Sequence, residues 1–478
     1  MKTKVVKSQS GSLLLSKLND IISSDTSHLL CAKRKQDFTR NRNMTYTDII
    51  YYFISRCCTN SDSELTRYYS SMKKFSKRIS RQGMNKAVKK LNPNIFNYII
   101  KEFAKEFYKS DLVKTYKGYL LLAEDGTSLE IPFSLRNIYE YDFQTNRTVK
   151  EIPDVKTIVS KSAGLYDVTN GLFVDFTIHD IRCSETPMAF EHLNHMMNSF
   201  DDYPIIYLAD RYYGSAEIIS YLESHTIKYC IRGKSNFYKS QVGNMSTNDE
   251  WIDIEIDENW RKRFRFSQRA IDYVENNPHI KIRVVKSKYE YINDKKEKVT
   301  NDLIFFTNLS EDEFSTQEII ELYSRRWDIE VSYKTTKTTE ELERYISRDG
   351  DVTKCCIYGK IIFHNIAGII RKEMNKKLED SHKSKDTQFC VNITQLHEVI
   401  RNTNMFYLMK NKKTKTIKEM IKETVKILDK IKVPIRPDRH NKRWGRVVIG
   451  KVKYRFTLDG RNFPKLRAYN HILMTVKP

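Results

Sequence analysis

Residues 118–127 read GYLLLAEDGT, and residues 203–211 read YPIIYLADR. Both stretches are short apolar runs, which are typical of strands buried on both faces of a sheet. Asp125 closes the first run and Asp210 closes the second. We therefore expect two buried strands of an α/β sheet, each ending at an aspartate.

The pattern around these runs predicts the rest of a mixed sheet. Asn170-Gly171 lies between two apolar runs and indicates a hairpin, because this dipeptide favours a tight turn. The expected elements are strands at 157–165 and 172–179, a helix at 184–200, the strand that ends at Asp210, a helix at 215–224, and strands at 227–231 and 303–308. Residues 236–300 alternate polar and apolar side chains and show no obvious helix, so we interpret them as a β-rich insertion.

Further helices are expected before and after the segments that form this sheet. Ser315 and Glu318 form a capping box, which predicts one long helix from Ser315 to about Glu343. An apolar helix is expected at 353–374. Residues 1–110 have a helical and basic character, with an apolar helix at 49–57 and a polar helix after Ser80 that carries Lys86 and Lys89. This helix pair resembles a helix-turn-helix, although any small helical bundle shows the same pattern.

The net charge narrows the class of partner. The 478 residues include 83 Lys and Arg but 60 Asp and Glu, which gives a net charge of +23. Such an excess favours a polyanionic partner: nucleic acid first, with an anionic membrane surface as the rival. An AT-rich genome also inflates Lys and Asn, but it does not explain clustering. Residues 401–478 alone contain 22 Lys and Arg and 5 Asp and Glu.

Cysteine spacing and hydropathy exclude other classes. None of the 8 cysteines has C-x-x-C spacing, so a zinc ribbon has no support and reduced cytosolic thiols are expected. No secretory leader follows the short apolar patch at 13–15, and no long apolar run is present. We expect a cytoplasmic protein without a membrane partner.

Carboxylates at two strand ends indicate a metal site. Such side chains project into the crevice where α/β folds bind ligands. Asp125 and Asp210 would repel each other unless cations neutralised them, and Mg²⁺ prefers oxygen ligands. An aspartate before glycine is also a common turn former, so the two aspartates alone leave both interpretations open.

The predicted long helix adds a third acid. It carries Tyr323, Arg326, Glu330 and Lys337, which are spaced by 3, 4 and 7 residues. At about 100° per residue these side chains share a stripe of about 60°. A stripe with an acid, two bases and a phenol is not an apolar core face. A solvated salt-bridge face is the alternative, since Arg326 and Glu330 form an i,i+4 pair.

This spacing resembles the Tyr-Arg-Glu-Lys signature of bacterial insertion-sequence transposases of the DDE class. Residues 125–127, Asp-Gly-Thr, are similar to the family's first aspartate motif. Residues 210–214, Asp-Arg-Tyr-Tyr-Gly, are similar to its Asp-Arg-Gly-Tyr, with Tyr212 in place of glycine and a shifted register. The resemblance covers residues from roughly 30 to 375.

The resemblance implies an RNase H-like α/β catalytic core with the β-rich insertion between the second aspartate and the glutamate. It implies two Mg²⁺ or Mn²⁺ ions held by Asp125, Asp210 and Glu330, with Asp125 shared by both ions. Such a site cuts a phosphodiester with water and then joins DNA through a 3′-OH. The expected domains are 1–110, helical and DNA-binding; 111–235, first part of the core; 236–300, insertion; 301–375, second part of the core; and 376–478, a basic region for DNA or dimer contacts.

Further residues are expected to contact DNA. The resemblance places Tyr323, Arg326 and Lys337 on phosphates and Trp327 near a flipped base, with core packing as the alternative for Trp327. The other expected DNA contacts are Lys334, Arg211, Lys86 and Lys89. A basic cluster at 436–446 is expected to contact DNA, to form a solvated loop or to serve dimer contacts. The histidines His179, His192 and His195 are expected to be structural or at the surface.

The sequence therefore predicts a DNA transposase that acts at the bacterial nucleoid. As a homodimer it would bind the terminal inverted repeats of an insertion sequence, cleave these ends and join them to double-stranded target DNA. The alternatives are a two-metal nuclease without strand transfer and an inactive DNA-binding derivative.

Overall fold

The computed structural model describes residues 11–40, 42–57, 60–131, 158–179, 183–197, 203–234, 237–292, 298–347, 349–381, 389–429, 432–435, 455–456 and 462–463. Its N-terminal part is helical, as the sequence predicts. The helices are α1 Gly11–Ile22, α2 Asp25–Cys31, α3 Tyr46–Ile54, α4 Ser61–Ser71, α5 Arg81–Val88 and α6 Asn94–Tyr108.

A single mixed sheet forms the centre of the described structure. Its strands are β1 Leu120–Ile131, β2 Ile158–Asp167, β3 Leu172–His179, β4 Ile205–Ala209, β5 Lys228–Arg232, β6 Asp249–Glu255, β7 His279–Ile292 and β8 Lys298–Thr307. The strand order is β3-β2-β1-β4-β5-β8-β7-β6. β1, β4 and β5 are parallel, and the other pairs are antiparallel. This order confirms the expected RNase H-like mixed sheet and the hairpin at Asn170-Gly171.

Helices cover the sheet and extend the chain beyond it. They are α7 Glu185–Met197, α8 Ala216–Ser224, α9 Lys239–Gly243, α10 Glu258–Arg261, α11 Gln268–Asn276, α12 Thr316–Ser324, α13 Trp327–Thr338, α14 Gly350–Ser381, α15 Ile393–Asn402, α16 Met405–Lys410 and α17 Thr414–Asp429. Two small sheets pair β9 Phe389–Cys390 with β10 Val433–Pro434 and β11 Arg455–Phe456 with β12 Asn462–Phe463. Helix α17 packs on α1, so the C-terminal part contacts the N-terminal helices.

The prediction that the first strand ends at Asp125 is wrong. Asp125 is an internal residue of β1, which continues to Ile131. Pairing with β4 stops at Glu124, opposite Ala209, whereas antiparallel pairing with β2 continues to the end of the strand. The polar residues from Glu124 to Glu130 conceal this continuation, because backbone pairing with β2 maintains the strand without an apolar run.

The predicted absence of helices from residues 236–300 is also wrong. Helices α9, α10 and α11 lie among the strands of this segment. They have 5, 4 and 9 residues, which is too short for a clear helical periodicity in the sequence. The strands of the segment do not form a separate sheet, because β8 pairs directly with β5 of the core.

The predicted long helix from Ser315 to Glu343 is divided into α12 and α13. The capping box of Ser315 and Glu318 is present at the start of α12. At the junction, the Arg326 N–H donates to the Tyr323 carbonyl and the Ile329 N–H to the Arg326 carbonyl, three residues back. These 3-10 hydrogen bonds tighten the backbone at the junction, but Arg325 and Arg326 keep helical dihedral angles. The break between the two helices therefore leaves no signal in the sequence.

The two helices of the predicted helix-turn-helix are not consecutive, so this prediction is wrong. Helix α4 lies between α3 and α5, and its polar sequence hides it from an apolar-periodicity search. Residues 48–54 of α3 are all buried and α3 packs on α14, so this helix belongs to the core. Helix α5 is amphipathic, with Met84 and Val88 buried and Lys86 and Lys89 exposed.

Candidate active site

Asp125 and Asp210 lie at the same level of the sheet. Asp125 is the first residue of β1 beyond its pairing with β4, and Asp210 directly follows β4. The two side chains therefore stand where the sheet opens between β1 and the end of β4. The Tyr212 N–H donates to the Asp210 Oδ1 at 2.7 Å, which holds this carboxylate at the strand end.

Hydrogen bonds fix the backbone and the carboxylate of Asp125. The Gly126 N–H donates to the Asp125 Oδ1 at 2.9 Å. On α13, the Tyr333 hydroxyl donates to the Asp125 carbonyl oxygen at 2.7 Å. Helix α13 is thereby attached to β1 at the residue that carries the acid.

Arg326 connects the third acid to the first. Its Nη2 donates to the Glu330 Oε1 at 2.9 Å, and its Nη1 lies 3.5 Å from the Asp125 Oδ2. Its Nε donates to the Tyr323 hydroxyl at 3.2 Å. Both Arg326 and Tyr323 are buried, so the predicted alternative of a fully solvated salt-bridge face is not what forms. The buried guanidinium contacts both Asp125 and Glu330, although the Glu330 side chain is 39% exposed.

The electrostatics of this group are unbalanced. Burial raises the pKa of the Asp125 carboxyl to about 7; Arg326 opposes this shift, and the carboxylates of Glu330, Asp210 and Glu185 add to it. Burial alone would lower the pKa of Arg326, but Tyr323, Asp125 and Glu330 together raise it. The Arg326 Nη1 has no hydrogen-bond partner among the described residues. One arginine therefore compensates only part of the negative charge.

The donor set fits hard divalent cations. Asp125, Asp210 and Glu330 offer only carboxylate oxygens, which Mg²⁺ and Mn²⁺ prefer. After burial, the negative charges of Glu330 and Asp210 oppose ionisation of Asp125, and a cation between them would relieve this repulsion. Within the described part of the chain, no three acidic, histidine or cysteine side chains already stand close enough to hold an ion. Arg326 lies between two of the proposed ligands, Asp125 and Glu330.

The other residues predicted on the glutamate helix have different environments. Lys337 donates from its Nζ to the Ser128 carbonyl oxygen of β1 at 2.8 Å, and burial lowers its pKa. Trp327 is 40% exposed, and the Arg326 guanidinium carbon lies over its ring, 5.1 Å from the ring centroid. The core-packing alternative for this ring is therefore wrong. Lys334 is exposed on α13, and Arg211 is exposed beside Asp210.

The predicted N-terminal contacts lie elsewhere on the molecule. Lys86 on α5 and Lys89 at its C-terminal cap are exposed, and a cavity of about 880 Å³ opens beside this helix. Its lining includes Lys86, Lys90, Arg40 and Arg42. The predicted basic cluster at 436–446 lies outside the described residues.

The sequence did not point to Glu185 or Tyr333. Glu185 is the first residue of α7, and its carboxylate lies against Gly126 of β1. An acid in the first turn of a helix is usually attributed to the helix dipole, so its sequence position gave no signal. Tyr333 lies three residues beyond Glu330, and i,i+3 spacing on a predicted helix is the one signal that relates it to the site.

The opposite face of β1 holds a second charged group. The Glu124 carboxylate pairs with the His192 Nδ1 at 2.9 Å, and Asp175 lies 3.2 Å from the His195 Nδ1. These histidines are structural, as expected. The third, His179, pairs with Glu191 at the surface.

Comparisons with known proteins show the family of the chain. Residues 116–366 match the family model described as "Transposase DDE domain". The chain is 21% identical over 369 residues to the transposase for insertion sequence element IS1151 of Clostridium perfringens, a match that covers 69% of this chain and 75% of that protein.

A solved structure is also similar at a lower level. The piggyBac transposase synaptic complex with hairpin DNA matches with a TM-score of 0.42 and 10% identity, over 90% of this chain and 87% of that chain. The family model, by contrast, covers more than half of this chain and includes all three acids of the site. The protein therefore belongs to the DDE transposases, enzymes that bind DNA, cleave it and transfer its strands with the help of divalent metal ions.

Proposed function

We propose that this protein transposes an insertion sequence of the Tyr-Arg-Glu-Lys branch by a cut-and-paste route. It binds the terminal inverted repeats, cleaves the ends and joins their 3′-OH groups to target DNA. The observation that carries the proposal is the bridging of Asp125 and Glu330 by Arg326, at 3.5 and 2.9 Å, beside Asp210. A helix with a purely structural role in the core would not need to bring an arginine and these acids together.

Asp125, Asp210 and Glu330 would hold two Mg²⁺ or Mn²⁺ ions. Bound there, the ions would supply Lewis-acid activation of the attacking oxygen and stabilisation of the leaving oxygen. Tyr323 orients the Arg326 guanidinium through its hydroxyl. When cations neutralise the acids, the forked donors of Arg326 become available for a phosphate of the transposon end.

Cationic side chains around the acids would guide the DNA backbone. Lys334 on α13 and Arg211 beside Asp210 are exposed, and Lys337 donates to the backbone of β1 at Ser128. Trp327 presents an exposed ring on which an unstacked base can lie. A base held out of the duplex would assist a hairpin route for second-strand cleavage.

The remaining expected contacts extend the DNA surface. Lys86, Lys89 and the cavity beside α5 would hold phosphates of the inverted repeat. The basic region 376–478 would contact DNA or a second subunit. Both transposon ends must be held together during joining, so we propose a homodimer on DNA, at the nucleoid of a bacterial cytoplasm.

Replacement of the glutamate tests the proposal. Glu330→Gln should abolish Mg²⁺-dependent cleavage of an end-containing duplex and leave its binding affinity within about twofold, because the amide keeps the shape but removes the charge. Glu321→Gln, an exposed acid of α12, is the matched control and should cleave normally. Cleavage that survives the Glu330 change would contradict the assignment.

A second assay separates transposition from simple hydrolysis. A pre-cut end with a free 3′-OH is incubated with a target plasmid, and joined products are counted by sequencing. Joining supports transposition. Cleavage without joining would identify a two-metal nuclease, and end binding without either reaction would identify an inactive derivative.

A further inference from the structure

An aromatic ring is exposed beside one of the three acids. Tyr212 is the second residue after Asp210 and is 51% exposed. Its backbone N–H donates to the Asp210 Oδ1 at 2.7 Å. A single exposed aromatic side chain is common on protein surfaces and needs no explanation by itself. The neighbours of this ring therefore decide whether it has a function.

Two side chains orient the Tyr212 ring. The Lys234 Nζ lies over the ring, 5.3 Å from its centroid. The buried Tyr213 ring packs against it edge to face, with the centroids 6.4 Å apart and the ring planes at 71°. The Tyr212 ring is thus held by a cation and a core residue, but it is not covered, because about half of the residue remains exposed.

Cations share this edge of the sheet with the ring. β4 and β5 are parallel neighbours, with Ala209 opposite Ile231, so the residues that follow the two strands meet at one edge. A Cβ on Gly214 would stand 3.3 Å from the Arg232 carbonyl oxygen, so the two segments touch. No acidic side chain in the described ranges forms an ion pair with a cation of this edge. These cations are Arg211, Arg232 and Lys234.

An exposed aromatic ring among cations is the combination with which proteins bind unpaired nucleic acid. A base stacks on the ring, and the cations hold the phosphates of the same strand. The cations of this edge are available for phosphate, since no carboxylate of the described residues pairs with them. The edge also adjoins Asp210, so a strand bound there passes the proposed cleavage centre.

We propose that Tyr212, with Arg211 and Lys234, binds an unpaired nucleotide of the DNA strand next to the bond that is cut. This inference rests on the proposed function and deepens it, because it names the form of DNA that the Asp210 side of the centre takes. Trp327 stands at the start of the helix that carries Glu330, whereas Tyr212 stands in the loop that follows β4. The two rings belong to different elements, so we expect them to hold different nucleotides.

Fluorescence of bound DNA tests the inference in EDTA, where cleavage does not occur. The probe is a duplex of the inverted repeat that flanks the gene, with a short single-stranded overhang beyond the cleavage position. Each overhang base in turn is replaced by 2-aminopurine, whose fluorescence is quenched when it stacks on an aromatic ring. One overhang position should be quenched by the wild type and by Tyr212→Phe, but not by Tyr212→Ala.

Affinity gives a second readout. Tyr212→Ala should weaken binding of the overhang duplex by about tenfold and binding of the blunt duplex by less than about twofold, because only the overhang offers an unpaired base. The hydrogen bond to Asp210 comes from the backbone N–H, so this variant removes the ring and keeps that contact. Lys234→Gln should weaken overhang binding several-fold and reduce its salt dependence, because a phosphate contact is lost.

Trp251→Ala is the matched control. Trp251 is also an exposed ring, but it lies on β6, at the edge of the sheet and three strands from β5. Its removal should leave both the quenching and the affinity unchanged. Circular dichroism melting checks that each variant folds.

Unchanged quenching and affinity in Tyr212→Ala would overturn the inference, and so would quenching that only Trp327→Ala removes. In both cases, cleavage and joining by the wild type would leave the proposed function intact. A wild-type protein that binds neither the overhang duplex nor the blunt duplex would reject the proposed function, and this inference with it.

Discussion

Glu124 and Asp125 are adjacent acids on one strand that face opposite sides of the sheet. Glu124 is completely buried and pairs with His192, which is also completely buried. Asp125 faces α13, retains 16% exposure, and lies 3.5 Å from an arginine nitrogen that lacks a hydrogen-bond partner among the described residues. Because side chains alternate along a strand, a fully buried ion pair on the closed face and a partly exposed acid on the open face lie only one residue apart.

The difference shows how a structural acid is distinguished from a functional one. Burial raises the pKa of Glu124 to about 7, with His192 opposing, and Glu124 in turn raises the pKa of His192. This pair shares its charge within the protein and needs no external ion. Asp125 has a similarly raised pKa, and neighbouring carboxylates add to the shift at both acids. The two acids differ in their counter-ion: Glu124 has a partner at 2.9 Å, whereas Asp125 has only the 3.5 Å contact with Arg326.

The largest expected effect separates the two acids by activity. Asp125→Asn should reduce Mg²⁺-dependent cleavage at least about a thousandfold, which corresponds to about 4 kcal/mol in the barrier. Glu124→Gln should stay within about tenfold of the wild type, assayed at a temperature where the protein is folded. Comparable losses in both variants would remove the distinction between the two faces.

The next effect separates them by stability. His192→Leu leaves Glu124 buried without a partner, so it should lower the free energy of unfolding by about 3 to 5 kcal/mol in urea titrations. His179→Leu breaks a surface pair with Glu191 and should change it by less than about 1 kcal/mol. Equal losses would mean that the buried pair contributes no more than the surface pair.

The smallest effect concerns the metal-free protein and its pH dependence. The folded pKa of Asp125, about 7, is above its unfolded value, so the folded state binds more protons and wild-type stability falls as pH rises from about 4 to about 7. Asp125→Asn removes this loss. In EDTA the variant should match the wild type near pH 4 and be more stable by about 2 kcal/mol above pH 7. This value is about half the free energy of a shift of three pKa units, because water reaches the side chain and screens its charge.

Urea titrations of both proteins across this pH range measure the difference. A variant that is less stable than the wild type at pH 8 would show that Arg326 fully compensates Asp125. The contrast between the open and closed faces would then have no thermodynamic basis.

The sequence predicted the strands whose burial is complete. The runs that lead to Asp125 and Asp210 are apolar because both faces of β1 and β4 are covered, and that condition is visible in residue type alone. The continuation of β1 beyond Asp125 was not visible, because pairing with β2 does not depend on side-chain polarity. The fold class was therefore predictable, whereas the place of Asp125 within its strand was not.

For the candidate site, spacing brought Arg326 and Glu330 together, since i,i+4 contacts survive the tightened junction before α13. Tyr323 was expected on phosphate, but its hydroxyl is directed to Arg326. The contact of Glu185 with Gly126 was missed because it arises from the packing of α7 on β1. Contacts between elements distant in sequence depend on tertiary packing, which local patterns do not specify.

The strands β5 to β8 lie between Asp210 and Glu330 in the chain, so the three acids are synthesised at different times. Glu330 follows Asp210 by 120 residues, and α12 begins shortly after β8, the strand that pairs with β5. At ribosomal rates this interval takes on the order of ten seconds. Throughout it, the nascent chain carries two of the three acids, so the metal site that we propose stays incomplete until α13 has been made.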